Sequence, residues 1–186
     1  MFCTVLHNLK SPTNVGTIVR THVAFGGREI LFVGYDRPWQ FGKSSQAFSR
    51  KLEQLCEVVF VKTEDELFSW TETRSYSTVA LEIHRTAVPL SSFRFPTRTA
   101  LIVGNEATGL NGSLLTRCAH RVLIPQFGSA ECLNVAVSCS IALYELTRSA
   151  SAANTVRGSK FAQDDAQQSV APDAQAAALR LLPARR

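Results

Sequence analysis

Apolar and polar positions follow two alternating rhythms along the first 150 residues. Unbroken apolar runs rich in β-branched and aromatic side chains occur at "FCTVLH" (2–7), "EILFVG" (29–34), "EVVFV" (57–61), "STVALEI" (77–83), "TALIVG" (99–104) and "HRVLIP" (120–125). Runs this short, bounded by turn residues, predict buried strands. Between them the spacing is helical. "NVGTIVRTHVAFGG" (14–27) ends on a Gly-Gly stop, and a second helix is expected from Lys43 to Leu55. "TEDELFSWTETR" opens with Thr63 and Glu66 at the spacing of a capping box. A short helix at 112–118 and a long one at 132–149 complete the set.

Six continuous apolar strands separated by helices predict an α/β fold: a mainly parallel six-stranded sheet with helices on both faces. Ligands in such sheets sit beyond the carboxyl ends of the strands, near the point where strand order reverses. Chemistry is therefore expected in the loops after His7, Ile83, Gly104 and Pro125. From Ser151 the composition shifts to Ala, Ser, Gln and Asp, so the chain divides into a domain at 1–150 and a low-complexity tail at 151–186, flexible or weakly helical.

Composition narrows the function classes. The chain has 186 residues, 45% of them hydrophobic and 19% charged, an ordinary globular balance. No apolar run reaches the roughly 18 residues of a membrane span, and the start lacks the pattern of a signal peptide, so a cytoplasmic location is expected. Five cysteines at 3, 56, 118, 132 and 139 show no paired spacing, which predicts reduced, mostly buried thiols and no metal site. The net charge of +5 is uneven. Residues 1–51 hold seven Lys/Arg against two Asp/Glu, while the remainder holds thirteen of each, so the excess lies where a polyanion-binding face would.

Three loops stand out. "LIVGNEATGL" (101–110) ends a strand in Gly-Asn-Glu and returns through a second glycine, without the pattern of a P-loop or a dinucleotide turn. Glu106 there is either a solvated turn residue or a functional carboxylate. "IPQFGSAECLN" (124–134) runs from a strand end through proline and glycine into the long helix. Asn134 sits among small apolar neighbours, where an amide left without partners costs about 1–3 kcal/mol. In "NLKSPTNVGTIVR" (8–20), Asn14 would make a good N-cap. Arg20 lies in an otherwise apolar helical stretch, and arginine is rarely buried without an anion or a carboxylate.

"SPTNVGTIVR", "LIVGNEATGL" and "IPQFGSAECLNVAVSCSIALYEL" together resemble the three motifs of the SpoU/TrmH-type RNA ribose 2′-O-methyltransferases of the SPOUT class, over residues 3–148. The resemblance implies a C-terminal trefoil knot, a homodimer with its site near the interface, and methylation of a ribose 2′-hydroxyl in RNA. It implies S-adenosylmethionine as cofactor, held by main-chain groups of Leu81, Gly104, Ile124 and Leu133, with Cys132 beside them. It places Asn14, Arg20, Glu106 and Asn134 in the active site. For Arg20 two roles stay open, proton acceptor or phosphate clamp; a guanidinium is permanently protonated, which makes the clamp the easier reading. Cys132 stands where the family commonly has serine, and a thiol donates poorly. That departure keeps open a catalytically silent, knotted RNA-binding protein, whereas a flavodoxin-like nucleotide module is disfavoured by the missing phosphate cradle.

The RNA face would include "YDRPWQFGKSSQAFSRK" (35–51), where Arg37, Lys43, Arg50 and Lys51 interleave with Tyr35, Trp39, Phe41 and Phe48. Such mixtures grip phosphates and stack unpaired bases. The bland reading makes the aromatics core and the cations a solvated face. Because the first strand starts at residue 2, no recognition domain is expected before it, which favours tRNA over rRNA as the target.

Overall fold

Strand β1 (Phe2–His7) sends Phe2 and Leu6 into one apolar layer and Cys3 and Val5 into another on the opposite face of the sheet. The same two-sided burial recurs in β2 (Glu29–Val33), β4 (Ser77–Leu81) and β6 (Thr99–Val103), which explains their unbroken apolar runs. With β3 (Glu57–Val61), β5 (Val88–Pro89) and β7 (His120–Leu123) they form one sheet in the order β3-β2-β1-β6-β4-β7-β5. All its pairings are parallel; Val5, for example, lies between Leu31 and Ile102. This computed structural model describes residues 1–150; the expected tail at 151–186 lies outside the described residues.

The sheet has seven strands where six were expected. The extra one, β5, is a two-residue edge strand beside β7, too short to leave a hydrophobic pattern. Helices α1 (Pro12–Ala24) and α5 (Val135–Ala150) cover one face through Val15, Ile18, Val19, Cys139, Ala142 and Leu143. Helices α3 (Glu64–Thr73) and α4 (Gly112–Arg117) cover the other through Leu67, Leu114 and Leu115. Helix α2 (Lys43–Ser49) packs on α1 at Gly16, where any Cβ would stand 2.3 Å from the Ser45 carbonyl oxygen.

Local chemistry moves several expected boundaries. The helix expected over 43–55 breaks at Arg50 and Lys51, which both adopt left-handed backbone angles (φ 54° and 60°), and a single 3-10 turn follows at Leu52–Leu55. The half-buried backbone N–H of Lys51 is caught by Ser49 Oγ at 3.2 Å, and that hydroxyl donates to Glu53, which is only 9% exposed. A local bond of this kind competes with the helical ladder. At α3, Thr63 caps as expected, but the Glu66 carboxylate takes the N–H of Lys62 (2.7 Å), one residue earlier than in a standard box. At α1 the cap is Ser11, followed by Pro12 in the first turn, and not Asn14. That displacement frees the Asn14 side chain for other partners.

Candidate active site

Strand order reverses around β1 and β6, so the loops beyond β4, β6 and β7 converge at one end of the sheet. Between them lies a cavity of about 460 Å³, closed by Asn14 of α1 and the start of α5. Leu81, Gly104, Ile124, Cys132 and Leu133 line it together with Asn14, Glu106 and Asn134. Eight of the nine cofactor and catalytic positions expected from sequence are thus brought together. The ninth, Arg20, is not among them.

Three of these residues form one hydrogen-bonded chain. Asn134 Nδ2 donates to Asn14 Oδ1 (3.0 Å), and Asn14 Nδ2 donates to Glu106 Oε1 (3.1 Å). Asn134 Oδ1 meanwhile accepts the N–H groups of Ala136 (2.9 Å) and Val137 (3.4 Å), capping α5. One asparagine therefore begins a helix and reaches across to the opening of another. Glu106 also accepts the backbone N–H of Lys10 (2.9 Å) and of Ser11 (3.0 Å), at the entry to α1. Burial pushes the Glu106 carboxyl up, but the N–H of Lys10, the amide of Asn14 and the N–H of Ser11 outweigh it and hold the group below the usual carboxylate range. An ionised carboxylate so engaged is an anchor for the loop, and a poor proton acceptor at neutral pH.

The second loop is shaped by close approach. Gly104 faces the hairpin it opens: a Cβ there would lie 2.4 Å from the carbonyl carbon of Gly109. Gly109 itself has φ 63° and abuts the Glu82 carboxylate, which accepts the N–H of Leu110 at 2.8 Å. Asn105 completes the turn, donating to the Asn8 carbonyl (2.7 Å) while its Oδ1 accepts the N–H of Ala107 (2.9 Å). Sequence reasoning missed Glu82 and Asn105 as loop-fixing residues. Their signal was present: an acid directly after a buried strand, and an amide between the motif's glycine and glutamate. Gln126 was missed as well. Its Oε1 is buried beside the cavity with no hydrogen-bond partner, an acceptor left for a ligand.

Arg20 lies on the exposed face of α1, outside the cavity, with no ion pair among the described residues. The expectation that it needs a buried counter-charge is therefore corrected: the helix turns it to solvent. Next to it, the Thr21 and Ser140 hydroxyls meet at 3.2 Å, and Phe25 meets Tyr144 edge-on, so α1 and α5 lie side by side. Outward on α5, Val137 (49% exposed), Ile141 (39%) and Tyr144 (56%) form an apolar ridge. In the basic segment, Tyr35, Trp39 and Phe41 pack on Phe32, so they are core aromatics; only Phe48 of the four is exposed.

The SpoU rRNA Methylase family model matches residues 1–144. The chain belongs to that family. Among its relatives, a 23S rRNA (uridine(2479)-2′-O)-methyltransferase of Streptomyces viridochromogenes is 31% identical over 142 residues, 74% of this chain and 49% of the relative. A tRNA (guanosine(18)-2′-O)-methyltransferase of Aquifex aeolicus is 28% identical over 76% of this chain and 66% of its own. The SpoU methyltransferase AviRb from Streptomyces viridochromogenes, solved in complex with the cofactor AdoMet, superposes with a TM-score of 0.73 at 28% identity, covering 82% of this chain and 58% of that one. This SpoU-family chain thus spans about half the length of its Streptomyces relative. No helix among the described residues is long and apolar enough to cross a membrane.

The cavity fits the family's cofactor on its own terms. It has room for a nucleoside with an amino-acid arm, a hairpin drawn tight at Gly104 and Gly109 along one wall, and an unpartnered acceptor in Gln126.

Proposed function

We propose that this SpoU-family chain transfers a methyl group from S-adenosylmethionine to a ribose 2′-hydroxyl of RNA. The observation that carries the reading is the Asn134–Asn14–Glu106 chain, which ties the wall of the cofactor-sized cavity to the entry of α1. S-adenosylmethionine, when bound, supplies an electrophilic methyl group on a sulfonium. The main-chain groups at Leu81, Gly104, Ile124 and Leu133 would hold its adenosine part, with Cys132 lining the same wall. Asn14 and Asn134 each use one amide hydrogen within the chain and keep a second for substrate. Holding nucleophile and methyl group in line is the larger share of what such a site must do.

Arg20 fits a clamp for the phosphate beside the reacting ribose, a role that its exposure and lack of an internal partner support. In a homodimer formed through the Val137–Ile141–Tyr144 ridge, Arg20 would lie at the interface, beside a site that one copy alone leaves open. The knotted path of the loops around the cavity, implied by family membership, belongs to the same reading. Arg37, Lys43, Arg50 and Lys51 form the basic face for RNA. Relatives named for tRNA and for rRNA match at similar identity, so RNA is the substrate class and the assay presents both.

The test is a calorimetric titration with S-adenosylhomocysteine, followed by tritiated methyl transfer to tRNA and rRNA and digestion to nucleosides. Binding together with 2′-O-methylated product is expected. Binding without any transfer would point to the silent RNA-binding protein that Cys132 suggests, and absence of binding at millimolar ligand would remove the enzyme reading.

A further inference from the structure

A second concavity, of about 440 Å³, includes Pro12 in its lining, two residues from Asn14 of the cofactor cavity. Pro12, Arg37, Trp39, Gln40, Lys43 and Ser44 line it, and no carboxylate does. Neither Arg37 nor Lys43 has an ion-pair partner among the described residues, and both are exposed. Trp39 is not free to swing out as a stacking platform, because it lies parallel to Phe32 (5.8 Å, 18°) and edge-on to Tyr35. The groove wall is therefore preformed, and what it offers a ligand is two exposed cations with the neutral polar side chains of Gln40 and Ser44.

Its position ties it to the active site. Pro12 follows Ser11, whose N–H holds Glu106, and two residues later Asn14 faces the cofactor cavity. From this placement we infer that the groove seats the nucleotide next to the methylated one, with Arg37 and Lys43 on its phosphate and Gln40 and Ser44 at the base edge. Arg50 and Lys51, at the far end of α2 on a left-handed turn, stand outside the groove. The groove pair thus sets the register of the strand, and the far pair adds only diffuse attraction. The inference rests on the RNA-methyltransferase reading of the neighbouring cavity.

The test measures binding of a fluorescein-labelled, mixed-sequence, 12-nucleotide single-stranded RNA to the full chain, across a salt series. The Arg37→Ala/Lys43→Ala variant is expected to bind at least about tenfold more weakly at low salt, with the slope of log K against log[salt] reduced by about 0.7, the loss of one single-strand phosphate contact. The comparison variant, Arg28→Gln/Arg94→Gln, removes two exposed cations that precede β2 and β6 and line neither cavity, and is expected to stay within about threefold of the parent. Equal binding by the groove variant and the parent overturns the inference, and so do equal losses in both variants. Lys43→Gln alone serves the same comparison if the double variant melts early. S-adenosylhomocysteine titration of the parent is run beside these measurements. Its failure would remove the enzyme reading, while the RNA series would still report whether the groove binds.

Discussion

Replacing Asn14 by aspartate changes one atom and turns a hydrogen bond into a repulsion. In the parent, Asn14 Nδ2 donates to Glu106 Oε1 across 3.1 Å, and Asn14 is 8% exposed. In Asn14→Asp the donor becomes a carboxylate oxygen facing another carboxylate at that separation. Coulomb's law gives about 1.3 kcal/mol for two unit charges there in bulk water and about 5 kcal/mol at an effective dielectric of 20. Glu106 is largely open to solvent, so screening favours the lower part of that range, and a loss of about 2 kcal/mol at pH 7 is expected. The sign with pH is the sharper test. Two like charges raise the native pKa of the pair above its unfolded value, so the deficit is full at neutral pH and shrinks as acid returns a shared proton. Urea melts of parent and variant at pH 7, 6 and 5 should therefore converge toward the acid end. The Asn134 donor still finds an oxygen at position 14, so affinity for S-adenosylhomocysteine should fall less than methyl transfer. A stability difference independent of pH, or none at all, would refute the claim that Glu106 is ionised and bonded to Asn14.

Three further outcomes follow from the same geometry. Gly104→Ala should lose S-adenosylhomocysteine binding by calorimetry, because the new methyl group meets the Gly109 backbone at 2.4 Å; retained affinity would mean that the hairpin yields easily. Arg20→Ala should leave the melting temperature within about 1 °C, since an exposed, unpaired side chain contributes little to stability, and should abolish methyl transfer; Arg20→Lys should be severely impaired as well, because an ammonium lacks the planar fork. His22 is fully buried with its Nε2 unpartnered, and burial lowers its pKa from 6.5 to about 4. Its neutral form stabilises the fold above the unfolded value, and that contribution is lost as pH falls from 6.5 to about 4, amounting to about 3 kcal/mol. Chemical melts over that window should show a slope that a His22→Gln variant lacks.

The sheet and most of its helices were legible because the central apolar runs are about one strand long and α1, α3, α4 and α5 each begin at a side-chain cap. What was not legible depended on competition between near neighbours. Ser11 and Asn14 are both good caps, and Pro12 decides for Ser11 by occupying the first turn. Arg50 and Lys51 are ordinary helix formers, and only the buried Ser49–Glu53 contact explains their left-handed turn. For the cavity, the motif loops pointed to the right place, while the open acceptor of Gln126 depends on distances that no spacing encodes. The aromatics of 35–51 looked like a stacking surface, and the chain spends three of them on the core beside Phe32.

The placement of β6 bears on how the chain reaches this fold. β1 pairs with β2, which follows it closely, but its other neighbour is β6, whose residues 99–103 emerge almost a hundred residues later. Until they arrive, β1 presents an open row of backbone donors and acceptors in the middle of the future sheet, the kind of edge that recruits other chains. The Asn134–Asn14 bond joins residues 120 positions apart, and the Asn14–Glu106 bond joins residues 92 apart. Contacts of such separation form late and slowly, because the loop must close before anything is gained. During synthesis, the N-terminal half should therefore depend on chaperones or on rapid elongation to avoid self-association. The cavity is complete only when α5 docks.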